Sequence, residues 1–177
     1  LNKSTLKNKL VSTHNDKTFM LFPESKDKYS DLEDIRILMS NAINALNNID
    51  DIGKKKVSIC LLNASIYNLD KKDNVLDDII ESQILATMST LYSFDKYKAD
   101  EAMRPKIISF YTDSSGNIKK LFDRCVIINK NLSLVRDLGN EPGNKLTPVN
   151  YANLIGKNRF NYSVKIMKAD EIKREGL

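Results

Sequence analysis

A single histidine, His14, occurs in this 177-residue sequence, in a polar stretch near its start. One imidazole with no Cys, Asp or Glu at ligand spacing reads as a surface residue rather than a metal ligand. Cysteine is almost as scarce. Cys60 and Cys125 sit inside apolar patterns, "KVSICLL" and "LFDRCVII", which suits small buried thiols better than a disulfide framework. A cytosolic chain is therefore expected. No apolar run approaches the roughly 20 residues of a membrane-spanning helix, and the first twenty residues lack the apolar stretch of a signal peptide.

Other chemistry is missing too. "DSSGN" (113–117) lacks the glycine spacing and the Gly-Lys pair of a phosphate loop. Ser114 and Ser115 lie there without a base nearby in sequence, so turn chemistry explains them better than nucleophilic catalysis. The acidic pairs Asp50–Asp51 and Asp77–Asp78 are adjacent residues, which point in different directions on a helix, and they read as solvated charges. The residues alone thus offer no catalytic, cofactor-binding or metal-ligating group.

What is present describes a folded, charged domain. With 41% hydrophobic and 29% charged residues, the chain has the balance of a globular protein. Its length suits one domain with a core, or one domain and part of another. It begins at Leu1 without a methionine, as a piece of something longer would. The net charge of +5 invites a nucleic-acid reading, because clustered Lys and Arg neutralise phosphates. Yet the lysines are dispersed (54 to 56, 71 and 72, 96 and 98, 119 and 120) beside acidic residues, and nineteen asparagines accompany them. That pattern reads as a solvated, lysine-rich surface. "FDKYKADEAMRPK" interleaves aromatics with bases, but it reads better as a helix end where Tyr92 and Phe94 pack inward and lysine stems lie along the surface.

Strand and helix patterns alternate along the chain. "KTFMLF", ending at Pro23, has strand length. Ser30 and Glu33 have capping-box spacing, and Leu32, Ile35, Met39, Ala42 and Leu46 follow at steps of three and four, predicting a helix that ends near Gly53. "KVSICLL" reads as a buried strand. Leu76, Ile80, Ile84, Thr87 and Leu91 mark a second helix from Asp73 onward, and "KIISFYT" a third strand. Strands separated by such helices favour a mostly parallel sheet covered by helices.

A longer helix is predicted from Ile118, Leu121, Cys125, Ile128, Leu132 and Val135, long enough at roughly 30 Å to connect two bodies. Ile128 and Leu132 are expected to be buried between them. "RDLGNEPGNKLTP" (136–148) should end it, with Gly139 or Asn140 in the left-handed conformation and Pro142 as a stop. Thr147 can cap a new helix that starts at Pro148 and carries Tyr151, Leu154 and Ile155 on its apolar side. "YSVKIM" then reads as a strand, and Asp170 as the cap of a last short helix.

"LVRDLGNEPGNKLTPVNYA" (134–152) resembles the segment by which cytosolic leucyl aminopeptidases, a two-metal exopeptidase family, pass from an amino-terminal domain into a peptidase domain. "LEDIR", "YSFDKYK" (92–98) and "VKIMKADEIKREGL" (164–177) resemble further pieces of that family in order and spacing. The resemblance implies a three-layer α/β fold, macro-domain-like, with a mostly parallel sheet and helices on both faces, followed by the start of a second α/β domain. It divides the chain into a polar leader (1–16), an amino-terminal domain (17–116), a connecting helix (117–139) and the truncated start of a peptidase domain (140–177).

In that family two divalent ions, zinc with manganese or magnesium able to substitute, activate the water that attacks a peptide substrate. Their ligands lie in motifs resembling "NTDAEGR", which this chain lacks, so the resemblance implies that the metals and peptide are bound outside it. It also implies a cytoplasmic homo-hexamer with no membrane association. This chain would be its non-catalytic part, shaping the assembly and access to the active site. Two rival classes are a DNA-binding regulatory module and a stand-alone macro-like domain holding ADP-ribose. The dispersed lysines weigh against the first, and the want of a glycine-rich loop after a strand against the second.

Overall fold

The computed structural model describes residues 4–6, 9–14, 17–21, 31–46, 49, 51–54, 56–61, 75–99, 104–105, 107–112, 117–157 and 163–176. The chain divides into two compact units, Leu1–Ser133 and Leu134–Leu177.

In the first unit, β1 (Ser4–Leu6), β2 (Lys9–His14) and β3 (Lys17–Leu21) form an antiparallel sheet in the order β1-β2-β3. Leu10 lies opposite Leu21, and His14 opposite Lys17. The stretch expected as a polar leader thus carries two strands. "KTFML" is a strand as expected, but it pairs antiparallel with its predecessor.

Helix α1 (Leu32–Leu46) follows. Its cap is Asp31, whose carboxylate accepts the Asp34 N–H at 2.9 Å. Ser30, expected in that role, lies outside the described residues, and Glu33 instead pairs with Arg36 at 3.2 Å. The helix buries Ile35, Met39, Ala42, Ile43 and Leu46 and stops at Leu46, well short of Gly53. There the Ile49 N–H turns back to the Leu46 carbonyl at 3.0 Å. Asp51 then adopts φ 58°, a left-handed conformation that Asp tolerates better than most residues. A 3-10 turn over Ile52–Lys54 leads into the next strand.

Strands β4 (Lys56–Cys60) and β5 (Ile107–Tyr111) pair in parallel, with Ile59 beside Phe110 and Cys60 beside Tyr111. Between them in sequence runs α2 (Val75–Thr90), the crossover that a parallel pair requires. The expectation that "KVSICLL" is buried holds for one face only. Val57 and Ile59 turn toward the core, while Lys56, Ser58 and Cys60 are exposed.

Ile59 joins two apolar clusters. On one side Leu61, Ile80, Ile84 and Cys125 are buried together, flanked by Phe110, Leu121 and Phe122. On the other lie Ile43, Leu46 and Ile52, flanked by Val57 and Leu91. The rings of Phe110 and Phe122 are tilted, with centroids 6.0 Å apart. This unit therefore mixes helices with a small parallel sheet and a separate antiparallel one.

Helix α3 (Ile118–Asn140) runs from the first unit into the second. Asn117 caps it, its side-chain oxygen accepting the Lys120 N–H at 3.2 Å. Among the described residues only Asp51 and Gly176 have positive φ, so Gly139 and Asn140 stay helical and do not form a left-handed cap. Leu132 and Val135 are 43% and 65% exposed, and Ile128 is half-buried. Along the long apolar pattern only Cys125 is fully buried.

In the second unit, the turn after Pro142 is held by Lys145 and Leu146 N–H groups on the Pro142 carbonyl, at 2.8 and 2.9 Å. Thr147 caps α4 (Pro148–Lys157) as expected, with Asn150 N–H 3.3 Å from its hydroxyl. Leu154 and Ile155 are half-buried, but Tyr151 is exposed. Of the stretch read as a strand (162–167), residues 163–167 join no ladder among the described residues, and residue 162 lies outside them.

The last helix, α5 (Ala169–Arg174), starts after Lys168 rather than at Asp170. Glu171 reaches back to accept the Lys168 N–H at 2.7 Å. A carboxylate in the first turn favours the helix electrostatically wherever it sits there, so sequence alone cannot tell it from a cap. Gly176, at φ 75°, supplies the left-handed residue that closes this helix.

Candidate functional site

Among the described residues of the first unit, a polar cluster gathers on Asp95, in the "YSFDKYK" segment that follows α2. Leu91 N–H still bonds to the Thr87 carbonyl at 3.2 Å, and Tyr92 N–H reaches Ser89, so the chain leaves the helix gradually. Asp95 Oδ1 then accepts from the Ser93 hydroxyl and from Lys98 Nζ at 3.1 Å. Its Oδ2 accepts from Arg104 Nη2 at 2.9 Å. The carboxylate side chain is 17% exposed and that of Arg104 30%, whereas Lys98 is 60% exposed.

A carboxylate with both oxygens committed to cations and a hydroxyl is a fastening point. To act as a base or a metal ligand it would first have to give up these partners. Around it, Phe94 meets the Tyr97 ring edge-on at 5.7 Å, and Lys96 Nζ lies 5.4 Å from the same ring centroid. Tyr92 and Phe94 are half-buried and Tyr97 is half exposed. The aromatic and basic residues of this segment therefore serve one another. Arg104 is the member that sequence reasoning missed. It lies nine positions from Asp95, at no helical or strand spacing, and only the folded path brings it back.

Among the described residues the remaining sequence candidates do not converge. His14 lies in β2. Asp51 pairs with Lys54 at 3.0 Å, both exposed. Asp77 and Asp78 stand in the first turn of α2, where negative charge is favourable. Ser114, Ser115 and Asp50 lie outside the described residues. The two thiols differ: Cys60 is exposed and Cys125 fully buried. Burial first, and the Glu81 carboxylate second, push the Cys125 thiol up to about 11, while Arg124 works in the opposite direction.

Among the described residues no group of three or more His, Cys, Asp or Glu could hold a metal ion. None of their helices is long and apolar enough to cross a membrane.

No family model matches the chain. Over 89 residues it is 31% identical to the probable cytosol aminopeptidase of Chromobacterium violaceum, a match covering 47% of this chain and 17% of that protein. The chain thus spans about a sixth of the curated relative it matches. Among solved structures, the bottromycin maturation enzyme BotP in complex with Mn shares the fold at a TM-score of 0.59 and 14% identity, over 83% of this chain and 29% of that one. A second structure of the bottromycin maturation enzyme BotP matches equally, over 30% of its length. The chain is therefore similar in sequence to part of an aminopeptidase, and similar in fold to part of a maturation enzyme.

Proposed function

We propose that this chain is the non-catalytic amino-terminal part of a leucyl aminopeptidase, a metal-dependent exopeptidase that releases amino-terminal residues from peptides in the cytoplasm. The observation that carries the proposal is the 31% identity with a probable cytosol aminopeptidase. The fold shared with BotP, one of whose structures is a Mn complex, supports it. In this reading a three-layer, macro-like domain occupies 17–116, α3 is the connecting helix, and 140–177 opens the peptidase domain.

The residues described here do not fit a two-metal centre, which needs several oxygen or nitrogen ligands around ions roughly 3.5–4 Å apart. Their carboxylates are instead dispersed, or already paired as at Asp95. The proposal therefore places the two ions (zinc, manganese or magnesium) and the peptide in a part of the parent outside this chain. This part contributes to a homo-hexamer and to restricting access to the active site.

The test compares the purified chain with its full-length parent, using release of leucine from a leucyl amide. The parent should hydrolyse the amide, lose activity to a chelator and regain it with added metal, while the chain alone stays inactive. Metal-dependent hydrolysis by the chain itself, or a parent without aminopeptidase activity, would overturn the proposal.

A further inference from the structure

We draw no further inference here: the strongest candidate, the exposed apolar side chains of the second unit (Val149 and Tyr151 on α4, then Val164 and Ile166), carries nothing because nothing in the structure shows what covers them.

Discussion

The thiol of Cys125 on α3 points at the backbone carbonyl of Glu81 on α2, 3.9 Å away. The neighbouring Arg124 Nε lies 3.6 Å from the Glu81 carboxylate, so one turn of α3 engages both ends of the same residue. A neutral thiol suits this setting, because a thiolate would be buried and would face the Glu81 charge, which together outweigh the pull of Arg124. Two measurable consequences come from it.

In the folded protein one thiol, Cys60, should react with a disulfide reagent near neutral pH, and two should react in denaturant. Two thiols labelled at the same rate under native conditions would contradict the burial of Cys125. The alkaline limb of stability should also carry its signature. The folded state holds the Cys125 proton more tightly than the unfolded chain, where a thiol titrates near pH 8.5. That contribution is fully present below about pH 8.5 and is lost as pH rises to about 11, amounting to roughly 3 kcal/mol. Urea unfolding of wild type and Cys125→Ala across this range should show a steeper loss for the wild type. Parallel curves would mean that the thiol titrates normally.

Replacing Asp95 by Ala should destabilise the first unit by about 1–3 kcal/mol, since it strands the partly buried Arg104 guanidinium. Lys98→Met removes the other cation, but that one is mostly exposed, and the change should be within about 1 kcal/mol. Thermal unfolding of both variants checks the ranking. A larger loss in Lys98→Met would show that Arg104 is not the principal partner.

Core truncations should divide along α3 and α2 rather than follow the length of the apolar pattern. Ile84→Ala removes a fully buried side chain from the main cluster and should cost about 2–5 kcal/mol. Leu132→Ala acts on a side chain 43% exposed and should cost less than about 1 kcal/mol. Equal losses in chemical denaturation would indicate that Leu132 is covered in solution.

Helices α1, α2 and α3 were legible because an apolar residue every three or four positions is a physical requirement of a buried helical face, and Ile35, Ile80 and Cys125 obey it. Strands β4 and β5 were legible from β-branched runs. Strands β1 and β2 were not: "STL" and "KLVSTH" contain few apolar residues, and the pairing of β1 with β2 and of β2 with β3 depends on partners rather than on composition. The position where α3 ends, Asn140, was legible, but the conformation that closes it was not. Gly139 permits a left-handed cap without demanding one, and Pro142 alone suffices to stop the helix. Of the polar cluster, Ser93, Asp95 and Lys98 lay within six residues, whereas Arg104 became visible only through the fold.

Affinity for duplex DNA should be weak, without sequence preference, and should fall steeply with salt, because dispersed lysines neutralise few phosphates together. Titration of a labelled duplex at low and physiological salt measures this. Sequence-selective binding that survives physiological salt would favour the DNA-binding class over the aminopeptidase reading.

Helix α2 exposes a single residue, Asp78, between Leu76 and Thr90. On one side Ile80 and Ile84 join the cluster around Cys125; toward α1, Thr90 Oγ1 sits 3.0 Å from Ser40 Oγ and 2.7 Å from the Ala86 carbonyl. With one proton to give, Thr90 donates to the carbonyl and accepts from Ser40. An element enclosed in this way cannot swing out alone, for releasing it uncovers both neighbours at once. Its amides should therefore open to solvent only when the whole first unit opens, so that exchange at Ile80 and Ile84 reads the global unfolding of that unit.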